Sequence, residues 1–221
     1  MNESFTITGG VIIGNAHATY PFVNLYVDAN ILKINASIVG NLVFQPKDVI
    51  SIETYRTFPG FRKGIKINHR VETYSAKVLF LTFRDPTFVI NEIRRVGFLS
   101  NQNSRINFSE ADIVKLQQQG SFPLKKSFAI LFVVLWNLLF LSDFLPFFLS
   151  DHKKGMPIGN GVRMALGLVL ATAILTLISE NFRKLILKEG RVLDDIIKAV
   201  YFIILITGFL IISFSVVNFG S

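Results

Sequence analysis

The 221-residue chain has no cysteine and only three histidines, His17, His69 and His152. The lack of cysteine excludes disulfides, thiolate zinc sites, iron–sulfur clusters and cysteine nucleophiles. The histidines are scattered along the sequence, and none belongs to the H-E-x-x-H pattern of a zinc enzyme. We therefore expect neither a metal site nor a cofactor.

Motifs of known catalytic sites are missing as well. The sequence has no G-x-S-x-G nucleophile elbow and no G-x-x-x-x-G-K phosphate loop. The stretch GNGVRM (159–164) has two of the three glycines of a dinucleotide-binding turn, but it precedes an apolar stretch instead of following a strand. We therefore expect a non-enzymatic protein without catalytic residues.

Charged residues are scarce over three long stretches in the second half of the chain. These stretches cover residues 127–149, about 161–179 and about 199–217. Each is close to the roughly 20 apolar residues that are needed to cross the hydrocarbon core of a bilayer. In the first stretch the apolar side chains outweigh the insertion cost of Asn137, and Arg163 in the second can extend towards the lipid surface. The sequence therefore predicts three transmembrane helices.

The Lys and Arg residues between these stretches are unevenly distributed. Seven lie beside the helix ends that would share a side with the N-terminal part, and three lie beside the opposite ends. Because Lys and Arg are enriched in cytoplasmic loops, this bias predicts a cytoplasmic N-terminus and a C-terminus outside. We also expect no cleaved signal peptide, since the chain begins without a basic region followed by an apolar core.

The segment ENFRKLILKEGRVLDDIIK (180–198) keeps a helical pattern on both sides of Gly190. We expect the second membrane helix to continue to about Glu189, and Gly190 to end it. A new helix would then lead into the third membrane span. The two helices would form a hairpin that projects from the membrane surface.

The first hundred residues have the two-residue period of β-strands. Apolar and polar residues alternate in VNLYV (23–27), LKINASI (32–38), VISIETY (49–55) and GIKINH (64–69), and AKVLFLTF (76–83) supplies a further strand. Such alternation is typical of strands with one buried face. The sequence therefore predicts an antiparallel β domain.

One helix is predicted to follow these strands. Asp85 is placed to cap its N-terminus, Pro86 occupies the first helical position, and Gly97 follows the last turn. Its apolar stripe would consist of Val89, Ile90, Ile93 and Val96. The N-terminal part is thus predicted to have strands first and a closing helix last.

These strands and this helix resemble a known family. GIKINH (64–69) followed by YSAKVLFLTFRDPTFVINEIRRVGF (74–98) is similar to the last strands and the C-terminal helix of bacterial pleckstrin-homology-like domains. LVFQPKDVISIE (42–53) resembles the strand–turn–strand that those domains share with the wider pleckstrin-homology and GRAM group. The resemblance covers roughly residues 10–98. It implies a curved, partly open barrel closed by one helix, commonly tethered to membrane helices, and it implies no catalytic machinery.

Together these features predict an α+β membrane protein. Residues 1–100 would form a cytoplasmic pleckstrin-homology-like (PH-like) domain, and residues 101–126 a linker with a connecting helix that begins near Ser109. Residues 127–221 would form the three-helix transmembrane region. The family resemblance places such a protein in a bacterial inner membrane.

The segment YRTFPGFRKGIK (55–66) mixes aromatic rings and cations and contains no acid. It connects two predicted strands, so we expect it at the tip of a hairpin. Each cation near an anionic membrane contributes about 1 kcal/mol of attraction, and aromatic rings favour the headgroup zone. We predict contact with lipid or with a partner protein through Arg56, Phe58, Phe61, Arg62, Lys63 and Lys66. The alternative is a loop whose rings cover the barrel end while its cations are solvated.

The expected function is an interaction or scaffolding module in a membrane assembly. Its expected partners are membrane lipids with anionic headgroups, other membrane proteins or further copies of the chain. The net charge of +8 is split evenly between the two parts, so nucleic acid is not an expected partner. The alternative is a small transporter or channel subunit that oligomerises around a path including Asn137 and Asp143.

Overall fold

A computed structural model describes residues 3–57, 62–100, 110–149 and 159–219. The chain divides into two compact units. The first comprises Met1–Pro123 and Glu189–Arg191, and the second comprises Leu124–Lys188 and Val192–Ser221. The three residues Glu189–Arg191 therefore lie between two stretches of the second unit in sequence but belong to the first unit.

The first unit contains a curled, seven-stranded antiparallel sheet. Its strands are β1 (Ser4–Ile13), β2 (Ala16–Asp28), β3 (Leu32–Asn35), β4 (Asn41–Phe44), β5 (Val49–Arg56), β6 (Lys63–His69) and β7 (Val78–Leu81). Their order across the sheet is β4-β3-β2-β1-β7-β6-β5. Strand β1 lies at the centre, between β2 and β7, while β4 and β5 form the two edges.

The alternating strands enclose one hydrophobic core. Leu25 of β2, Ile34 of β3 and Ile65 and Ile67 of β6 are fully buried, as their two-residue period predicts. Strand β1 is not predicted by the sequence patterns, because Gly9 and its neighbour interrupt the alternation and shift the register with β2. Every strand contributes at least one buried residue to this common core, which stabilises the curled sheet.

Helix α1 (Pro86–Arg95) follows the last strand and closes the core. The carboxylate of Asp85 accepts a hydrogen bond from the backbone N–H of Thr87 at 2.7 Å, which caps the helix. Gly97 adopts φ = +81° after the last turn. The apolar stripe is buried: Val89, Ile90, Ile93 and Val96. The predicted helix is thus confirmed with its cap, its stop and its buried face.

Strands β1 and β6 lie so close to the backbone of β7 that a side chain is excluded at one position of each. A Cβ atom added to Gly64 would overlap the carbonyl oxygen of Phe80 on β7, and one added to Gly9 would overlap that of Leu81. Gly64 and Leu81 are register partners in the β6–β7 ladder. Glycine is required where two backbones approach so closely.

Helix α2 (Glu110–Gln118) covers part of the outer edge of β4. The side-chain amide of Gln117 donates to the carbonyl of Val43 at 3.1 Å and to the carboxylate of Asp48 at 2.7 Å. The backbone N–H of Val43 donates to the hydroxyl of Tyr74 at 3.3 Å. The predicted connecting helix therefore packs within the first unit, while its predicted first residue, Ser109, lies outside the described residues.

The rest of that edge is covered by Arg191 and by the segment around Ser121. The guanidinium of Arg191 is buried and donates to the carbonyls of Asn41 at 3.2 Å and Gly120 at 3.0 Å. The backbone N–H of Asn41 donates to the carbonyl of Ser121 at 2.8 Å. An open edge strand invites pairing with other chains, and these contacts occupy its backbone groups.

The second unit consists of helices. They are α3 (Lys126–Leu149), α4 (Asn160–Ile178), α5 (Glu180–Ile186) and α6 (Ile197–Phe219). Helices α3, α4 and α6 are long and apolar enough to cross a membrane, and no residue of α3 is buried. The prediction of three such helices is confirmed.

The prediction that the second membrane helix continues to about Glu189 is wrong. The helix is interrupted at Ser179, whose backbone is extended at φ = −110° and ψ = 114°. The hydroxyl of Ser179 accepts a backbone hydrogen bond of 3.2 Å that caps α5, and the guanidinium of Arg183 donates to the last carbonyls of α4 at 3.0 and 3.2 Å. Helix α5 then ends at Ile186, so Gly190 does not end it. Capping groups produce this break, and they cannot be recognised from the helical period of the sequence.

The start of α3 is attached to the end of α5 by backbone hydrogen bonds. Leu124 and Leu187 form an isolated antiparallel bridge, and the N–H of Lys125 donates to the carbonyl of Ile186 at 2.9 Å. Ile186, Leu187 and residues of α4 and α6 form a small hydrophobic cluster there. This cluster joins the helices of the second unit at one end.

The overlap at Gly64 generates a stability prediction. We expect Gly64→Ala to lower the free energy of unfolding of the first unit by about 3 kcal/mol, because the backbone of β7 has to move away from the new methyl group. Urea-dependent proteolysis of the detergent-solubilised full chain measures this change. The control is Gly167→Ala in α4, where a Cβ meets no atom within 4 Å. Equal stability of Gly64→Ala and the unmodified protein would contradict the close approach of β6 to the backbone of β7.

Arg191 generates a second stability prediction. Arg191→Met keeps an unbranched apolar stem but removes the donor to the buried carbonyl of Asn41 and to the partly buried carbonyl of Gly120, so we expect a loss of about 1–3 kcal/mol in the first unit. The same proteolysis measurement applies, with Arg94→Met on the exposed side of α1 as the control. If both variants unfold at the same urea concentration, Arg191 does not stabilise the β4 edge.

Candidate functional site

Strand β2 protrudes from the sheet opposite the middle of β1. Gly9 is the register partner of Val23, whereas Val11 is the partner of Ala18. Residues 19–22 of β2 therefore face a single residue of β1 and leave the regular ladder. Bulges of this kind redirect side chains away from the sheet surface. Here the protruding residues include Tyr20, whose side chain is 55% exposed.

Tyr20 forms an aromatic pair with Phe83, which follows β7. The ring centroids are 5.4 Å apart and the ring planes make an angle of 72°, which is an edge-to-face arrangement. Phe83 is 77% exposed. Both rings thus keep a large apolar surface in contact with solvent while holding each other in position.

This pair borders a groove of about 580 Å³ in the first unit. The groove is lined by Gly9, Gly10, Val11, Ile12, His17, Ala18, Thr19, Tyr20, Arg62, Lys63, Leu81, Thr82 and Phe83. The buried members of this set, such as Val11, lie at its base, and the exposed members lie at its mouth. None of the residues described as lining the groove is acidic.

Two of the cations predicted to make contacts, Arg62 and Lys63, lie in this groove lining. The backbone N–H and the hydroxyl of Thr57 both donate to the carbonyl of Arg62, at 3.0 and 3.2 Å, which fixes the end of β5 beside the start of β6. The predicted hairpin between these strands is confirmed. Phe58 and Phe61 lie outside the described residues.

Arg56, another predicted contact residue, is paired. Its guanidinium lies 2.9 Å from the carboxylate of Asp85, and both side chains are more than half exposed, so the pair adds little to stability. The hydrogen bonds from Thr87 lower the pKa of Asp85, and the nearby charges of Arg56 and Lys63 lower it further. Asp85 is therefore ionised at neutral pH and offsets the charge of Arg56.

Lys66 is not among the residues that line the groove. Its neighbours Ile65 and Ile67 are fully buried in the core, so Lys66 lies on the opposite face of β6. Its register partner is Glu53, whose carboxylate accepts a hydrogen bond from Asn68 at 2.7 Å. Among the four predicted cations, only Arg62 and Lys63 contribute to the groove.

The aromatic pair cannot be predicted from the sequence. Tyr20 and Phe83 are far apart in the sequence, and only the β1–β7 pairing and the bulge in β2 bring them together. A local signal existed for neither ring, since Phe83 continues an apolar strand pattern and Tyr20 precedes a proline. Arg62 and Lys63 were found because their signal is local: adjacent cations in a predicted turn.

The polar side chains of α3 make hydrogen bonds within the second unit. The amide of Asn137 donates to the carbonyl of Val133 at 2.7 Å. The carboxylate of Asp143 accepts from the backbone N–H groups of Gly159 at 3.0 Å and Val162 at 2.7 Å, where it caps the N-terminus of α4. Both side chains thus have structural partners, and a transport path that includes them stays a prediction.

No group of three or more His, Asp or Glu residues that could hold a metal ion occurs within the described ranges. Comparisons of the chain with models of protein families, with curated proteins and with solved structures gave no match.

Proposed function

We propose that this protein is a non-enzymatic interaction module that is anchored in a membrane. The groove carries this proposal, because its lining combines an exposed aromatic pair with two cations and contains no acidic residue. Surfaces that combine rings with cations are suited to binding, since the rings supply apolar contact area and the cations attract anionic groups. Its partners would be lipids, other membrane proteins or further copies of the chain.

We propose further that the first unit is a PH-like domain. The support is its arrangement of seven antiparallel strands in one curled sheet, followed by the closing helix α1. The family resemblance implies the same succession of strands and helix. A domain of this kind would act as a scaffold through its surface, without chemistry of its own.

The three apolar helices would serve as the anchor. Helices α3, α4 and α6 are long enough to cross the hydrocarbon core, and the Lys and Arg residues that flank them favour a cytoplasmic N-terminus in a bacterial inner membrane. A module that shares a chain with its anchor meets other membrane components at high effective concentration. Weak contacts at the groove would then suffice for binding.

Photocrosslinking at the groove tests this proposal. A photoreactive benzoylphenylalanine in place of Phe83 should form adducts with a discrete partner, lipid or protein, in membranes of the source cells. The same group in place of Lys77, which is exposed between β6 and β7, should give none. Gel shifts and mass spectrometry identify the adducts.

The cations supply the matched control for this experiment. Replacing Arg62 and Lys63 by Ser should lower the yield at Phe83 about thirtyfold, since each cation contributes roughly 1 kcal/mol towards an anionic partner. Replacing the exposed Arg70 and Arg94 by Ser removes the same charge elsewhere and should leave the yield unchanged. Equal adduct patterns at positions 83 and 77 would refute the interaction surface.

A further inference from the structure

We propose that α3 pairs in the membrane with the α3 of a second copy of this chain, and that the two Asn137 side chains hydrogen-bond to each other at the centre of the contact. This inference rests on the membrane anchor of the proposed function and is independent of the groove. Three observations lead to it: the position of Asn137, the unused hydrogen-bonding groups of its side chain, and the spacing of the apolar residues around it.

Asn137 lies in the middle of α3, and its side chain is exposed. Between Ser127 and Ser142 it is the only residue of the sequence with a hydroxyl, carboxamide or charged side chain. The half-buried residues of α3 lie on the other side of the helix, where Asp143 caps α4, and they include Phe132, Trp136 and Leu139. Within the described ranges, Asn137 therefore faces the hydrocarbon and not another helix of its own chain.

The carboxamide of Asn137 uses only part of its hydrogen-bonding capacity. One N–H donates to the carbonyl of Val133, one turn earlier in the same helix, at 2.7 Å. In the part of the chain that the structure describes, the second N–H and the oxygen Oδ1 make no hydrogen bond. An unpaired polar group in hydrocarbon is unfavourable, and polar residues of membrane helices usually face a partner. A partner for Asn137 has to supply one donor and one acceptor near the centre of the bilayer.

A second copy of the chain supplies both groups. The same Lys and Arg distribution orients every copy in the same way, so two α3 helices run parallel with their Asn137 residues at the same depth. A carboxamide has donors and an acceptor, so two facing Asn137 side chains can exchange two hydrogen bonds about a twofold axis. A lipid tail offers neither group, and a different protein would need a matching polar residue at that depth.

The apolar residues around Asn137 have the spacing of a seam between paired helices. Steps of four and three residues alternate along one stripe of α3, the α3 seam, which consists of Ile130, Val134, Asn137, Leu141, Phe144 and Phe148. Its apolar members are more than half exposed, except for the half-buried Phe144. A period of about 3.5 residues keeps two helices in contact along their length, and a single Asn in such a seam fixes their register. The α3 seam therefore fits a parallel pair of helices.

Disulfide crosslinking tests the pairing, because the chain has no cysteine of its own. Full-length Val134→Cys and Leu135→Cys variants are placed in phosphatidylcholine vesicles at a protein-to-lipid ratio where most copies are unpaired, and are then oxidised with copper phenanthroline. Leu135 is also exposed and lies at the same depth, but it is turned about 100° around the helix from Val134. We expect about tenfold more disulfide-linked dimer from Val134→Cys, since a disulfide needs Cα atoms within about 7 Å. Non-reducing gels measure the yields.

Substitutions of Asn137 in the Val134→Cys variant test the hydrogen bonds. Asn137→Leu removes the donor and the acceptor and should lower the dimer yield about eightfold, the effect of two interhelical hydrogen bonds. Asn137→Gln keeps a carboxamide and should retain most of the dimer. Ser142→Ala removes a hydroxyl outside the α3 seam and should leave the yield unchanged. Circular dichroism in the same vesicles checks that every variant keeps its helices.

Three results would overturn the pairing and leave the groove proposal standing. Equal yields from Val134→Cys and Leu135→Cys would show random collision in the bilayer. An unchanged yield in Asn137→Leu would show that the carboxamide takes no part in the contact. Capture of a different protein by a photoreactive group at position 134 in source membranes, with a monomeric chain in vesicles, would replace the second copy by that protein. Release of the chain from vesicles at alkaline pH would refute the membrane anchor together with the pairing.

Discussion

The apolar surface of the long helices has to be kept away from water, and the rest of the molecule depends on this constraint. No residue of α3 is buried, and Leu138 and Ile130 are 60% and 64% exposed. Apolar surface in water is unfavourable by about 25 cal/mol per Å², so α3, α4 and α6 need an apolar solvent. Backbone groups at the border of a hydrocarbon core benefit from partners within the protein, because the core itself holds no water. The capping of α4 by Asp143 at one end and by Arg183 at the other answers that need.

The first unit is a small β domain and meets a different constraint. Its strands have to pack closely, and the backbone groups at its sheet edges need hydrogen-bond partners. Gly9 and Gly64 let β1 and β6 lie close against the backbone of β7, within the one sheet that curls around the core. The outer edge of β4 has no neighbouring strand, and the amide of Gln117 and the guanidinium of Arg191 cover it. Since Arg191 lies between two helices of the second unit in sequence, the edge of the sheet depends on a distant segment of the chain.

Local signals explain what could be predicted from the sequence. Helix α1 was predicted with both ends because Asp85 and Gly97 act through their own backbone neighbourhood. Non-local geometry explains what could not be predicted. Strand β1 is recognisable only from its partners, and the Tyr20–Phe83 pair needs the bulge in β2. The predicted long helix is divided at Ser179 by caps that leave the apolar pattern unchanged. The candidate site was predicted in part, since adjacent cations are visible in the sequence whereas the pairing of Arg56 is not.

The most direct test of this account is the solvent around α3. Because the chain has no cysteine, a single Leu138→Cys or Lys77→Cys variant carries one thiol. In membrane vesicles opened to both sides, a water-soluble maleimide should label Lys77→Cys readily and should reach Leu138→Cys only after the bilayer is dissolved and the protein denatured. Rapid labelling of Leu138→Cys in the intact bilayer would show that α3 faces water, and the membrane anchor with everything argued from it would be wrong.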